Sequence, residues 1–373
     1  MVVFRGMSLY RDCPGTDPTW AVRTLEITSK GIWTLPDETP AEIGGYLIPG
    51  LVDVHAHIGL TKGGAASSEL TLRQARADRD SGVLLVRDCG IPVNADNSFV
   101  KADPELPKII NCGAHLALPK RYIRYYALEL NSPNELPEAV AEQARRSDGW
   151  VKLVADWIDR SDGANSDLKP LWSAQILRDA MAAAHENGAR VTAHAFSHSA
   201  ITPLLEAGVD CIEHGTGMDA DQITEAAAQG IPVTPTVLQV DRFADFAEQA
   251  GDKYPVYGST MQQMWQRRRE QEAALYDAGV QLLPGTDSGG YQRHGSLPSE
   301  LQRWPQLGIP VPEVIDLATW RVRDFLGFPS LADGNPADLV IYDRDPRENV
   351  AVLTGPKHVY LDGVPVSGAL KGE

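Results

Sequence analysis

The chain has 373 residues, 43% of them hydrophobic, so it is long enough to bury a large core as one α/β unit with a small accessory domain. A net charge of -16, from 34 basic and 50 acidic residues, excludes the basic surface that a nucleic-acid partner requires. No apolar run approaches the ~18 residues of a membrane span and no leader pattern opens the chain, so a soluble, cytoplasmic protein is expected.

In chain order, residues 1–48 carry short alternating runs such as "WAVRTLEIT" and then "GGYLIPGLVDVHAHIGL". Beyond these, one pattern recurs: a helical segment closes on a glycine, and an apolar, β-branched run follows at once. It reads "SGVLLVRD", "NGARVTAH", "AGVDCIEH", "QGIPVTPT" and "AGVQLLPGTD". With "LVDVH", "PKIINCG" and "GWVKLVA", eight apolar strands are predicted, separated by helical stretches such as "PLWSAQILRDAMAAAHENG". Continuous apolar strands alternating with helices predict a parallel sheet covered on its faces, and eight such units predict a (β/α)8 TIM barrel over residues 49–332. The tail, 333–373, returns to short strands ("ADLVIYD", "KHVYLDGVPV") and turn signals, so 1–48 and 333–373 are expected to form one small β-sandwich domain. Cys13, Cys89, Cys112 and Cys211 lack metal-site spacing, and three lie in strand-like runs, which predicts buried thiols.

In a barrel of this kind chemistry sits at the C-terminal ends of the strands. Those positions hold His55 and His57 on strand one, Lys152 on strand four, His194 on strand five, His214 on strand six and Asp287 after strand eight. Side chains two apart on a strand share a face, so His55 and His57 can reach one ion. A set of imidazole and carboxylate without thiolate suits zinc and related divalent cations.

The ordered motifs "PGLVDVHAH", "VRDCG", "WVKLV", "VTAHA", "AGVDCIEHG", "GTDSG", "HGSLPSEL" and "GNPADLVIYD" resemble the amidohydrolase superfamily, in particular the branch of imidazolonepropionase-like proteins and Xaa-Pro or Xaa-Arg dipeptidases. The resemblance implies a binuclear metal site: His55, His57 and Asp287 on one ion, His194 and His214 on the second. It also implies that CO2 converts Lys152 to a carbamate bridging both, which removes the repulsion between an ammonium and two dications. Two dications would lower the pKa of a bridging water from about 15.7 toward neutrality, with His214 at the ion that polarises the carbonyl and Asp287 shuttling the proton to the leaving nitrogen.

An isolated histidine in an apolar run is more often structural than a ligand, and His185 and His358 are read that way, with His198 a rival to His194. His115 and His294 fall in loops after strands three and eight and are candidates for substrate contact. In "LPKRYIRYYALELNSP", Tyr122, Arg124 and Tyr125 are candidates for binding a carboxylate or an aromatic group, with an amphipathic helix as the alternative reading. The segment "ADWIDRSDGANSDLKP" reads as a mobile loop able to close over substrate. The expected activity is hydrolysis of a C–N bond in a small amide, peptide-like or N-acyl amino-acid compound. A lactonase, esterase or cyclic-amidine hydrolase, and a non-catalytic ligand-binding barrel, are the alternatives. Substrate identity, metal and homo-oligomeric state are open.

Overall fold

A computed structural model describes residues 1–13 and 15–368; the last five residues assigned to the terminal β-domain lie outside the described residues. The strands near both ends of the chain share one seven-stranded sheet. Its order is Val364–Gly368, His358–Leu361, Leu339–Tyr342, Ile43–Pro49, Val2–Tyr10, Thr19–Thr28, Gly31–Leu35. The late strand Leu339–Tyr342 runs antiparallel to Ile43–Pro49, pairing Ile341 with Leu47, and this joins the two ends of the chain. Alternate residues, among them Phe4, Leu25, Ile27, Leu47, Leu339 and Ile341, bury themselves in a separate small core. The seven strands follow one hydrogen-bonded order, where two facing sheets had been expected.

The middle of the chain alternates strands and helices. Leu51–Ala56, Val83–Asp88 and Lys108–Asn111 pair in parallel. Trp150–Val154, Arg190–Ala195, Cys211–His214 and Val233–Thr234 form a second parallel run. Every residue of Leu51–Ala56, Val83–Asp88, Trp150–Val154 and Cys211–His214 is buried, as befits strands with both faces covered. The predicted third strand breaks after Asn111 and resumes as Leu116–Ala117, which pairs with Leu153 of the fourth. The predicted eighth strand contributes isolated bridges only: Leu282 to Val233 and Ser288 to Ala56. The backbone bonds Leu283 N to Val233 O and Val54 N to Pro284 O, each 2.9 Å, hold this segment between the seventh and first strands.

The helices obey the expected periodicity. Ala174–Glu186, capped by the Ser173 hydroxyl, buries Leu177, Ala180, Met181 and Ala184. His198–Ala207 ends on Gly208 in the left-handed region (φ 73°), which explains the recurrent glycine before each strand. Among the described residues no helix is long and apolar enough to cross a membrane. Two local expectations are corrected. The segment read as a mobile loop folds as an antiparallel hairpin, Asp156–Ile158 against Leu168–Pro170, anchored by the buried Asp156 carboxylate accepting from the amides of Phe196 and Ser197. The run "YIRYYALEL" forms turns and the short strand Leu128–Glu129, not an amphipathic helix.

Candidate metal centre and substrate cavity

Six side chains singled out in the sequence meet at the C-terminal ends of the parallel strands. His55, His57, Lys152, His194 and His214 are all buried, and Asp287 is largely so. The His55 ring centroid lies 5.2 Å from that of His57 and 5.1 Å from that of His214, and the His194 and His214 centroids are 4.8 Å apart. His214 and Asp287 leave their strands with φ of 65° and 56°, and Thr236 with 45°. For non-glycine residues such angles cost about 1–3 kcal/mol each and cluster at functional sites. Here they turn His214 and Asp287 inward toward the first strand.

The hydrogen bonds fix the chemistry of the cluster. His57 Nδ1 is 2.7 Å from the carbonyl of Gly90, which only accepts, so Nδ1 carries the proton. In the neutral ring Nε2 therefore presents a lone pair, and it faces Asp287 Oδ1 at 3.1 Å. His55 Nε2 also faces carboxylates, Asp287 at 3.3 Å and Glu213 at 3.6 Å. The His57 lone pair facing a carboxylate oxygen is repulsive unless a cation or a proton lies between them. Burial holds His55 well below the ordinary histidine range and pushes His214 down to about 3, which favours neutral rings with nitrogen lone pairs free to ligate. His214 Nδ1 bonds Thr236 Oγ1 at 2.7 Å and its Nε2 faces His194 Nδ1 at 3.1 Å. His194 Nε2 and both ring nitrogens of His115 are buried without a hydrogen-bond partner. Two triads, His55–His57–Asp287 and His55–Glu213–His214, bring their donor atoms within 4.8 Å of one another. The donor set fits divalent cations.

Glu213 is the residue that sequence reading missed. It is fully buried, its Oε2 touches Lys152 Nζ, and its Oε1 accepts from Thr192 Oγ1 at 2.8 Å. Strand alternation assigns Glu213 and His214 to opposite faces; the left-handed turn at His214 brings both to the same interior. Burial, with the nearby Arg87, lowers the Lys152 amine below the ordinary lysine range.

Above the cluster opens a cavity of about 240 Å³ with His57, His115, His194 and Asp287 at its floor and Tyr122, Tyr126, Trp157, Phe196, Tyr257 and Tyr291 in its walls. The His115 ring lies between those of His57 and Tyr122, tilted to both, with centroids 5.1 and 5.2 Å away. Of the three loop candidates only Tyr122 reaches this cavity. Tyr125 adopts φ 70° and is 63% exposed, and Arg124 is exposed with its guanidinium 4.6 Å from the Tyr125 ring. Tyr126 turns inward instead, its hydroxyl donating to the Thr61 carbonyl at 2.6 Å. His294 does not line the cavity; its Nδ1 lies 2.8 Å from Asp78 of the helix Ser68–Asp80. His198 is exposed, 3.6 Å from Asp219.

Comparison with known proteins bears on this arrangement. The model of the Amidohydrolase family matches residues 46–366. The uncharacterized protein Rv2915c of Mycobacterium tuberculosis is 45% identical over 320 residues, 86% of this chain and 85% of that one, and Mb2939c of Mycobacterium bovis matches to the same extent. Among solved structures, a Xaa-Pro dipeptidase with methionine bound in its active site superposes with a TM-score of 0.79 at 21% identity, covering 98% of this chain and 100% of that chain. A prolidase complexed with N-methylphosphonate-L-proline gives 0.76 at 21% (98% and 99% covered), and the ochratoxinase of A. niger 0.77 at 19% (98% and 95%). At these identities the structures speak for the fold, a TIM barrel with a β-rich domain, while the family match extends over most of the sequence: the chain is a member of the Amidohydrolase family.

Proposed function

We propose that this protein is a binuclear metal-dependent hydrolase that cleaves the C–N bond of a small amide or peptide-like substrate. The observation carrying the reading is the gathering of buried imidazole nitrogens around Asp287 and Glu213, with the His57 Nε2 lone pair turned on the Asp287 carboxylate, a donor set that suits a divalent cation. His55, His57 and Asp287 would hold one ion, and His194 and His214, with ring nitrogens 3.1 Å apart, would hold the other, with zinc the best match to this donor set and Lys152, as a carbamate, a further ligand. Such ions, when bound, supply a water of lowered pKa and polarise a carbonyl. The two parallel sheets, tied by the segment around Leu282 and Ser288, are read as one closed (β/α)8 barrel over 49–332, with the terminal strands as a separate domain.

The side chains divide the remaining work. Asp287, beside His55 and His57, stands where it can take the proton of the attacking water and return it to the leaving nitrogen. His115, neutral because burial holds it well below the histidine range, offers unpartnered ring nitrogens to a polar group of the substrate. The aromatic walls exclude water and orient the acyl or amine portion. The fold shared with a Xaa-Pro dipeptidase and a prolidase supports amide over ester cleavage. A panel of matched amides, esters and lactones, assayed before and after chelation, tests the reading: amide turnover lost on chelation and restored by zinc or manganese is expected, and turnover confined to esters or indifferent to chelation contradicts it.

A further inference from the structure

Glu300 belongs to the run "HGSLPSEL", on the short helix Leu297–Leu301, and no step of the proposed reaction uses it. Its side chain is fully buried and, among the described residues, meets N–H donors instead of a cation. Oε1 accepts from the Val237 amide at 2.8 Å and from Trp304 Nε1 at 3.2 Å, and Oε2 accepts from the Leu238 amide at 2.8 Å. Burying a charge without a counter-ion is costly, and these donors are what offset the cost.

The two amides open the helix Val237–Val240, whose N-cap is Thr236. The first N–H groups of a helix have no partner inside it, and a threonine at the N-cap ordinarily accepts from one of them through its hydroxyl. Thr236 makes no such bond. Held at φ 45°, it places Oγ1 2.7 Å from His214 Nδ1 instead. Glu300 thus supplies, from a distant helix, the cap that Thr236 would otherwise provide, and the threonine hydroxyl is left to the histidine. With Nδ1 donating to Oγ1, His214 Nε2 keeps its lone pair on the side of His194 Nδ1, 3.1 Å away, where the second ion is proposed.

We infer that Glu300 is a positioning residue for the metal centre: by capping the amides of Val237 and Leu238 it frees Thr236 to hold His214 in the ring orientation and tautomer that ligates. Without Glu300 those amides compete for the Thr236 hydroxyl. The inference rests on the hydrolase reading above.

Burial pushes the Glu300 carboxyl up to about 7, so the measurements are made at about pH 8.5, where it is ionised. Protein labelled with isotopic nitrogen in histidine is stripped of metal, and the His214 ring nitrogens are followed by NMR, with Thr236→Val as the reference for a lost bond. Glu300→Gln keeps the size of the side chain but turns an amide NH2 toward one of the two N–H groups, and its His214 signals are expected to move toward those of Thr236→Val. Zinc is then added in competition with a chromogenic chelator. One of the two ions is expected to bind at least about 10-fold more weakly in both variants, with the other unchanged, and the double variant to be no weaker than Thr236→Val alone. A residue that only stabilised the fold would lower the unfolding midpoint without moving the His214 signals. Signals in Glu300→Gln that coincide with those of the unaltered protein overturn the inference, and so does an additive loss of zinc affinity in the double variant. If Glu300→Gln fails to fold, the shorter Glu300→Asp is read in the same way. Because the ring signals are taken without metal, a single zinc ion or none in the unaltered protein withdraws the binuclear reading, while the signals still decide the role of Glu300.

Discussion

Lys152 Nζ and Glu213 Oε2 are in direct contact inside the parallel sheet, both fully shielded from water. As an ammonium–carboxylate pair they neutralise each other, and removing one partner leaves a buried charge that costs about 3–5 kcal/mol. Glu213→Gln is therefore expected to destabilise the metal-free protein by about that amount in denaturant unfolding. Unchanged stability would mean that Lys152 is neutral there without its partner.

Asp287 combines a left-handed backbone (φ 56°) with a position against two histidines. Asparagine tolerates that backbone and keeps the shape while removing the charge and the basic oxygen. Asp287→Asn is expected to lower kcat by roughly 10²–10⁴, the usual worth of a positioned acid–base group, with stability changed by less than about 1 kcal/mol. Near-normal turnover would remove Asp287 from the proton path.

Gly289 reaches the cluster without contributing a ligand. Its φ is 120°, and a Cβ added there would stand 2.6 Å from the His57 carbonyl oxygen and 2.9 Å from His57 Cβ. Gly289→Ala must displace the His57 backbone, so zinc affinity is expected to fall at least about 10-fold, the scale of changes in groups that orient ligands. Equilibrium competition with a chromogenic chelator measures this, and unaltered affinity would show that His57 is not a ligand.

His294 separates a structural from a substrate role. Burial lowers its basicity, but the Asp78 carboxylate at 2.8 Å, with Asp53 and Asp88 nearby, outweighs this and raises the ring above its ordinary 6.5. A raised histidine contributes stability that is complete below about 6.5 and is lost as pH climbs through the folded value. His294→Asn is accordingly expected to show its largest stability deficit near pH 6, shrinking as pH rises above 7, with KM unchanged. A raised KM with no pH-dependent stability deficit would return His294 to the substrate site.

Much of this was legible because it depends on short-range pattern. The glycine-then-apolar-run repeat marked the parallel strands, and the placing of His55, His57, His194 and His214 at or just past strand ends, with Lys152 within the fourth strand, follows from it. Glu213 was hidden because alternation fails where a backbone turns left-handed, and no residue type announces that turn at His214. Tyr126 and Tyr125 were exchanged for the same reason: the positive φ at Tyr125 sends one ring to solvent and its neighbour inward. Phe246, Tyr257 and Tyr291 join the cavity from segments far along the chain, which local periodicity does not bring together. The 156–170 hairpin depends on Asp156 binding amides of residues 196 and 197, again a distant contact.

The proposal that the histidine–carboxylate cluster holds a pair of ions, with a carboxylated Lys152 among their ligands, is tested most directly by metal content per chain on protein purified without chelator, with intact mass taken in the presence and absence of bicarbonate. Close to two zinc-like ions per chain, together with a labile carbon-dioxide-sized mass on Lys152, is the expected result. One ion or none with an unmodified lysine would contradict the account and leave Glu213 as the counter-charge of Lys152.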